Sequence, residues 1–293
     1  MKRHAYLIIA HSQFEILMTQ LRLLDHENND FYIHIDKKSQ NVPFDQIKNS
    51  VSASNIYFIN RISVNWGGYS MVQCEINLLK AATKGHYDYY HLLSGVDLPI
   101  KTTTTILQFF ENTNNIEYIH FDSNIISDKI LQRIQTYYYF QEKERKNVVF
   151  YILNRICTRF QRFLKINRIK KSNIQFQYGA QWFSITHKFA EYVISRESWI
   201  KQYFKLSCCS DELFLQSLII NSPFETNLVS NAYSGKYTAC LRYIDWNRGN
   251  PYVFRSADYD DLLNSPYLFA RKFDLNVDSQ IVKSIERTLK SQS

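Results

Sequence analysis

Two acidic residues stand side by side in the stretch CCSDELFLQSLI, which covers residues 208–219. Three kinds of chemistry are compatible with this order of side chains: a metal site, a cysteine nucleophile, and a carboxylate that accepts a proton. Cys208 and Cys209 are adjacent, and no C-x-x-C or H-x-x-H pattern accompanies them, which argues against zinc. A nucleophilic cysteine needs a base beside it, and nothing local orients His187, so buried and inert thiols are expected instead.

The third interpretation makes this stretch the beginning of a helix. Ser210 suits the N-cap position, and Asp211 and Glu212 would then lie in the first turn, where the helix dipole favours carboxylates. A cap of this kind needs no function at all. Two adjacent acids point in different directions, however, so we expect one of them to face a cleft as an ionised group that can accept a proton.

Cations that could hold an anionic ligand lie in the last part of the chain. Only one carboxylate, Asp97 in SGVDLP, follows the fourth predicted strand, which is too little to hold a divalent ion against a diphosphate. A site without a metal needs protein cations instead. Arg255, Arg271 and Lys272 could clamp a diphosphate with charge-assisted hydrogen bonds, although a single Lys or Arg is usually a solvated surface residue.

The elements that would position these residues alternate between strand and helix. Strands are predicted from short apolar runs at 5–11, 30–36, 55–61 and 87–95, and helices from apolar spacing at 12–24, with Ser12 as N-cap, and at 69–82. This alternation predicts an α/β fold with a mainly parallel, doubly wound sheet. Such sheets bind ligands at the carboxyl ends of their strands, where His11, Asp36 and Asp97 lie.

The remainder of the chain adds a strand predicted at 178–186, a helix at 187–196, and an irregular polar and aromatic segment at 241–274. Long loops of that kind tend to be functional. The sequence contains only 7 glycines and no G-x-G-x-x-G or Walker pattern, which argues against a dinucleotide-binding dehydrogenase or a P-loop enzyme. No internal repeat or linker divides the chain, so we predict one domain over 1–293.

The segment 143–171 differs from the rest of the chain because it holds ten Lys or Arg residues and one Glu. On a helical wheel one face is apolar (Val149, Ile152, Leu153, Ile156, Phe160, Phe163, Leu164) and the other is basic (Arg155, Arg159, Arg162, Lys165). Such a helix either lies on a membrane or packs on its own domain with a solvated basic face. The many arginines and the scarcity of acids favour peripheral contact with an anionic membrane surface.

The whole chain carries a formal net charge of +8, which indicates an anionic partner. No nucleic-acid-binding motif is present, so phosphate-bearing small molecules or anionic lipids are expected rather than nucleic acid. The N-terminal apolar run is too short for a signal peptide, and no apolar stretch is long enough to span a bilayer. Five cysteines without paired spacing fit reduced thiols, so we expect a cytoplasmic protein, peripheral on the inner face of the membrane.

A series of motifs runs along the chain over roughly residues 5 to 274: YLIIAH, YIHIDKKS, SVNWGGYSMVQCEINLL, YYHLLSGVDLPIKT, YGAQWFSIT, SDELFLQSLI, RYIDW and FARKFD. In these motifs and their order the chain resembles the core-2/I-branching β-1,6-N-acetylglucosaminyltransferases and the related peptide O-xylosyltransferases. The resemblance implies a GT-A-like, Rossmann-type fold that transfers a sugar from a UDP donor, with inversion and without a metal. A nucleotide-binding half is then expected at about 1–110 and an acceptor or catalytic half at about 111–280.

The resemblance also implies roles for single residues. It makes Glu212 the catalytic base that deprotonates the acceptor hydroxyl, and it makes Arg255 and Lys272 the pair that stabilises the leaving UDP in place of a metal. No cofactor is therefore expected. The other expected contacts are His11, Asp36 and Trp66 with UDP, Gly95 and Asp97 with the donor sugar, and Trp246 and Arg133 with the acceptor.

Some features differ from those of the animal members of the family, which carry a signal anchor and several disulfides. NWGG at 65–68 is closer to the xylosyltransferase branch. The expected donor is UDP-GlcNAc, with UDP-xylose as the alternative and UDP-galactose or UDP-glucose after it. The expected acceptor is a glycan, free or lipid-linked, in the synthesis of a bacterial capsule, exopolysaccharide or O-antigen. A non-catalytic carbohydrate-binding protein on the same fold is the alternative to an enzyme.

Overall fold

The computed structural model describes residues 1–144 and 147–292, built around a six-stranded sheet. The strands are β1 His4–Ala10, β2 Asn29–Ile35, β3 Asn55–Phe58, β4 Tyr89–Ser94, β5 Leu98–Pro99, β6 Tyr118–Ile119, β7 Phe183–Thr186, β8 Arg242–Ile244 and β9 Phe269–Arg271. The large sheet has the order β3-β2-β1-β4-β7-β6, with parallel pairs from β3 to β4 and antiparallel pairs at β7 and β6. The predicted α/β class with a mainly parallel sheet is confirmed.

Helices cover both faces of this sheet. They are α1 Phe14–Leu24, α2 Phe44–Lys48, α3 Tyr69–Ala82, α4 Thr103–Glu111, α5 Asp128–Gln135, α6 Val148–Phe163, α7 His187–Ser195, α8 Glu197–Phe204, α9 Phe214–Ile220, α10 Tyr259–Asn264 and α11 Ser279–Ser291. On β1, Tyr6 and Ile8 pack in the cluster that contains α1, whereas Leu7 and Ile9 pack in the cluster that contains α3. Since successive side chains of a strand point to opposite faces, a continuously apolar strand requires cover on both.

A smaller sheet, with the order β5-β9-β8, is joined to the large one through Arg242. This fully buried side chain donates to the carbonyl oxygens of Leu92 at 3.0 Å and Phe183 at 2.6 Å, and to the Ser184 hydroxyl at 2.7 Å. Burial lowers the pKa of Arg242 to about 10, so the guanidinium remains charged at neutral pH. The carbonyl oxygens of β4 and β7 thus hold a cation of β8, which fixes the two sheets against each other.

Two boundaries predicted from the sequence are wrong. Ser12 does not cap α1, because Gln13 takes the position before the helix with a left-handed φ of 54° and no side-chain cap bond. The strand predicted at 178–186 is confined to β7, which pairs antiparallel with β4. Residues 178–182 line a cavity instead of extending the sheet. None of the helices in the described ranges is long and apolar enough to cross a bilayer.

The helix start predicted at Ser210 is also wrong. The residues Ser210–Glu212 form a separate 3-10 turn, and α9 begins only at Phe214. Cys209 enters the turn with a left-handed φ of 50°, and the Ser210 hydroxyl is buried without a hydrogen-bond partner. Asp211 and Glu212 therefore lie on a tight turn before α9 and not in its first helical turn.

Candidate functional site

A cavity of about 720 Å³ opens where the carboxyl ends of β1 and β4 meet. Ligands of open α/β sheets bind at this position, because the polar side chains that follow neighbouring strands converge there. Residues 178–182 and the turn that carries Asp211 and Glu212 form the facing wall. Of the residues predicted for the site, the cavity wall contains His11, Trp66, Gly95, Arg133, Glu212 and Trp246.

Glu212 is the carboxylate that this turn presents to the cavity. Its Oε2 atom accepts a hydrogen bond from Arg133 Nη1 at 2.8 Å, and both side chains are partly accessible, at 29% and 27%. Arg133 comes from α5, and its guanidinium lies 5.3 Å from the centre of the Tyr178 ring. Burial alone would lower the pKa of Arg133, but the charge and hydrogen bond of Glu212 raise it overall. The pair orients the carboxylate through one oxygen.

Next to Glu212 lie two further carboxyl groups: Asp211, which is half-buried and also lines the cavity, and Glu75, which is fully buried. Burial, and then the charge of Glu212, raises the pKa of Asp211 to about 7. Burial, and then the charge of Asp211, raises the pKa of Glu75 well above its ordinary value. Glu75 Oε1 accepts a hydrogen bond of 2.7 Å from Gln181, which lines the cavity. The raised pKa values of Asp211 and Glu75 favour their protonated forms, whereas the Glu212 side chain is 29% accessible and paired with Arg133.

Of the two neighbouring cysteines, Cys209 lines the cavity and is poorly suited to nucleophilic catalysis. The Sγ atoms of Cys208 and Cys209 lie 3.8 Å apart, and both thiols are free. The hydrogen bond with Cys208, together with burial, raises the pKa of Cys209 far above its ordinary value, so this cavity-facing thiol stays protonated. Over residues 1–144 and 147–292, no cluster of three His, Cys, Asp or Glu side chains has an arrangement that could hold a metal ion.

The loop that carries Trp66 is held in place by Glu142, a residue that the sequence did not single out. The Glu142 carboxylate accepts hydrogen bonds from Asn65 Nδ2 at 2.9 Å, Ser70 N at 2.7 Å and Ser70 Oγ at 2.8 Å. A Cβ atom on Gly68 would come within 2.7 Å of that carboxylate. The paired glycines of NWGG are the sequence feature that could have indicated this contact, because glycine allows a second segment to approach the loop backbone closely.

Gly67 has a related role on the other side of this loop. It has a left-handed φ of 72°, and a Cβ atom there would lie 3.1 Å from Gln141 Nε2 and 3.2 Å from Cys209 Sγ. Its carbonyl oxygen accepts a hydrogen bond of 2.8 Å from the Cys209 amide. The Trp66 loop is therefore packed between the 141–142 segment and the turn that bears Glu212.

Arg271 is the cation from the C-terminal part of the chain that lines the cavity. Its guanidinium lies 3.9 Å from the centre of the Trp182 ring, and its Nε atom is 3.6 Å from Asp97 Oδ1. Asp97 is fully buried and accepts hydrogen bonds from the Ser94 amide and hydroxyl, at 2.8 and 2.6 Å. Burial raises the pKa of Asp97, and Arg271 opposes that shift. Asp97 is thus a buried support beneath the cavity wall, and Arg271, whose side chain is 14% accessible, is the member of this pair that lines the cavity.

Three other predicted residues lie outside the cavity wall. Arg255 is exposed, and its backbone amide donates to Asp258. Lys272 is half-buried, and its backbone pairs with residues 252 and 254. Asp36 is buried after β2 and pairs with Lys38, with 3.4 Å between Oδ2 and Nζ. The predicted diphosphate pair, Arg255 and Lys272, is therefore not part of the cavity wall, whereas their neighbour Arg271 is.

Aromatic side chains complete the wall, and several of them were missed by reasoning from the sequence. His120 stacks on Tyr237 with 4.4 Å between ring centres, and both line the cavity together with Tyr178 and Trp182. The strand predicted at 178–186 assigned Tyr178 to a regular sheet position, so its exposure to a cavity could not be foreseen. Flat rings of this kind bind the apolar faces of cyclic ligands.

The cavity combines three features that suit a group transfer. They are a carboxylate with one oxygen not bonded to Arg133, a guanidinium next to a buried carboxylate, and aromatic walls. The carboxylate can accept a proton from a hydroxyl group. The guanidinium of Arg271 can stabilise negative charge that develops on a departing anion. The aromatic walls can hold ring-shaped groups between these two charges.

Known proteins share sequence with this chain over most of its length. A family model described as Core-2/I-Branching enzyme matches residues 4–261. Xylosyltransferase 2 of Rattus norvegicus is 24% identical over 97% of this chain and 33% of its own length. Xylosyltransferase 1 of Homo sapiens is 23% identical over 97% of this chain and 30% of its own length. The chain thus spans about a third of the curated relatives it matches.

Solved structures give a weaker likeness. Mouse xyloside xylosyltransferase 1 in its apo form has 9% sequence identity and a TM-score of 0.38, covering 91% of this chain and 96% of that one. A likeness at that score carries no argument about the site.

Proposed function

Because the chain belongs to the Core-2/I-Branching enzyme family, we propose that it is an inverting glycosyltransferase that uses a UDP-sugar and needs no metal ion. The single observation that carries this proposal is Glu212, a carboxylate held by Arg133 through one oxygen at the wall of a cavity on the sheet edge. The match of the family model over residues 4–261 supports the reaction class.

In the proposed reaction, the free oxygen of Glu212 takes the proton of an acceptor hydroxyl. That hydroxyl oxygen attacks the anomeric carbon, the bond from this carbon to UDP breaks on the opposite face, and the configuration inverts. UDP leaves with the bonding electron pair, so negative charge grows on its diphosphate. Arg271 lies in the cavity wall, where it can stabilise that charge, and the resemblance adds Arg255 and Lys272, which do not line the cavity.

The proposed donor is UDP-GlcNAc, transferred to a hydroxyl of a glycan acceptor in bacterial surface polysaccharide synthesis. UDP-xylose is the second candidate, because the curated relatives are named xylosyltransferases and the Trp66 loop has the sequence NWGG. A lipid-linked glycan acceptor would place the enzyme at a membrane surface on the cytoplasmic side.

The proposal is tested by measuring UDP release from UDP-GlcNAc, UDP-xylose, UDP-galactose and UDP-glucose, with and without EDTA. We expect one donor to be turned over equally in both conditions. Glu212→Gln should lower turnover by about 100- to 10,000-fold, the usual contribution of a general base, while UDP binding persists. Glu15→Gln is the matched control, because Glu15 is an exposed acid on α1.

Unchanged turnover in Glu212→Gln would reject the assignment of the base. Activity that disappears with EDTA and returns with a divalent ion would reject the metal-independent mechanism. Tight glycan binding with no turnover of any UDP-sugar would show a binding protein rather than an enzyme.

A further inference from the structure

Helix α6 is oriented with its polar side against the protein and its apolar side in solvent. Asn154, Thr158 and Gln161 are its buried residues. Phe163 is 81% exposed, Phe160 60% and Ile156 57%. A helix on the surface of a soluble protein has the opposite arrangement, with its apolar stripe facing the core. Helix α6 therefore packs on its own domain and has exposed arginines, but the side that packs is polar and the apolar stripe stays in solvent.

Hydrogen bonds beneath the helix fix this orientation. Asn154 Nδ2 donates to Gln141 Oε1 at 3.2 Å and to Glu144 Oε2 at 2.9 Å. Gln161 exchanges two hydrogen bonds with the backbone of Tyr137, at 2.8 and 2.9 Å. Rotation of α6 about its axis would break these bonds and bury unpaired polar groups. The exposed apolar side is thus imposed by specific contacts on the opposite side.

The exposed apolar residues form one continuous stripe. At 100° per residue, Val149, Ile152, Ile156, Phe160 and Phe163 fall on the side of the helix opposite to Asn154 and Gln161. Leu164, just beyond the helix, is exposed next to the stripe. Apolar residues that are exposed singly are common, but five that align on one side of a helix mark an interaction site.

Charge along the stripe identifies the occupant. Arg155, Arg159 and Arg162 follow one another along one border, and the sequence of α6 contains no Asp or Glu. All three arginines are exposed. Arginines that flank an apolar stripe suit the phosphates and acyl chains of an anionic lipid surface. A second copy of this chain is a poorer fit, since each copy carries a formal net charge of +8 and the two would repel.

We propose that α6 lies in the interface of an anionic bilayer, with its apolar stripe inserted and Arg155, Arg159 and Arg162 on lipid phosphates. The helix would lie parallel to the surface at the boundary of headgroups and acyl chains. This inference does not depend on the proposed function, because lipid binding needs neither donor nor acceptor.

The same contacts connect the docked helix to the cavity. Asn154 of α6 holds Gln141, and the adjacent Glu142 holds the Trp66 loop through Asn65 and Ser70. Residues 141 and 142 thus connect α6 to the Trp66 loop, so a bilayer bound by α6 would lie at a fixed distance from the cavity.

The test is co-sedimentation of the purified full chain with vesicles of phosphatidylcholine alone or mixed with phosphatidylglycerol. We expect binding to the anionic vesicles that weakens as salt is added. Ile156→Gln with Phe160→Gln should bind roughly tenfold more weakly or worse, from the apolar area no longer inserted. The control is Val277→Gln, which changes an exposed apolar residue on the turn before α11.

The charged border is tested separately. Arg159→Gln with Arg162→Gln should weaken binding and flatten its salt dependence, whereas Lys283→Gln with Arg287→Gln on α11 removes the same charge without either effect. Thermal unfolding of every variant checks that the fold is retained, which we expect because the changed side chains are exposed.

Two results would overturn the proposal. One is absence of binding to anionic vesicles, or equal binding by the Ile156→Gln, Phe160→Gln variant. The other is a lipid-free dimer that the same variant dissociates while its vesicle binding is unchanged, which would make a second copy the occupant. UDP-sugar turnover without vesicles is a separate readout, so failure of the enzymatic proposal would leave the vesicle result interpretable.

Discussion

Arg133 and Glu212 form an ion pair at the cavity wall, with 2.8 Å between Nη1 and Oε2. The two residues come from distant parts of the chain, α5 and the turn before α9. The resemblance to known enzymes suggested Arg133 as an acceptor contact, whereas the structure shows it holding the candidate base. One oxygen of Glu212 is thus engaged and the other is left to meet a substrate.

We predict that Arg133→Ala lowers kcat roughly tenfold or more, because a hydrogen bond to a charged group contributes about 1.5–3 kcal/mol. Arg133→Lys should recover part of the loss, since a single hydrogen bond and the positive charge can be restored. UDP affinity, measured by calorimetry, should be the same in all three proteins. A loss of UDP affinity equal to the loss of kcat would place Arg133 in donor binding instead.

Stability should fall as pH rises from about 4 to about 7, in part because of Asp211. Burial raises the pKa of this carboxyl from 3.8 to about 7, so the folded state binds its proton more tightly than the unfolded state. The stability that Asp211 contributes is fully present below its pKa in the unfolded chain. It is lost as pH rises through its pKa in the folded protein, about 7. Asp211→Asn should therefore raise the melting temperature more at pH 8 than at pH 5.

The measurement is thermal unfolding at both pH values, where each kcal/mol corresponds to about 2–4 °C for chains of this size. Asp260→Asn, a change at an exposed acid of α10, is the control and should show no such difference. An equal effect of Asp211→Asn at both pH values would mean that Asp211 is ionised in the folded protein.

Gly68→Ala should weaken donor binding by displacing Glu142. The added Cβ would lie 2.7 Å from a carboxylate that three hydrogen bonds hold, so the Trp66 loop or Glu142 must shift. Overpacking of this kind typically costs about 1–3 kcal/mol. The double change Gly68→Ala with Glu142→Ala should cost less than the sum of the single changes, because the clash is absent. Strict additivity in KM and melting temperature would contradict the contact.

Arg271→Lys should weaken UDP binding more than Arg255→Ala does, because only Arg271 of the two lines the cavity. Lysine keeps the charge beside buried Asp97 but loses the planar group that lies on Trp182. Calorimetric titration of UDP into each variant, repeated in EDTA, gives the comparison. Normal binding by Arg271→Lys with lost binding by Arg255→Ala or Lys272→Ala would favour the pair that the resemblance indicates.

Residues that depend on local patterns could be predicted from the sequence. Helix α3 was predicted with its observed ends, since the spacing of Val72, Ile76 and Leu79 allows only one buried face. The four parallel strands were found because each contains a short stretch rich in apolar and aromatic residues, although β3 ends at Phe58 rather than at residue 61. The cavity lies at the strand ends where the alternation of strands and helices places it.

Features set by contacts between distant segments could not be predicted. The attachment of Glu142 to Ser70 joins residues 72 positions apart, and no periodicity encodes it. The choice of Arg271 over Lys272 depends on the direction of two adjacent side chains at the end of β9. The side of α6 that faces the protein depends on partners supplied by Tyr137 and Gln141, so the helical wheel gave the two faces but not which one is buried.

The polar underside of α6 also has a thermodynamic consequence. The heat-capacity change of an unfolding step, and the dependence of its free energy on denaturant, both increase with the surface that the step newly exposes. Detachment of α6 would break the hydrogen bonds of Asn154 and Gln161 but expose little apolar surface that water does not already contact. Amide exchange in α6 should therefore be almost unaffected by low concentrations of urea, whereas exchange in β1, which opens only with its apolar core, should accelerate steeply.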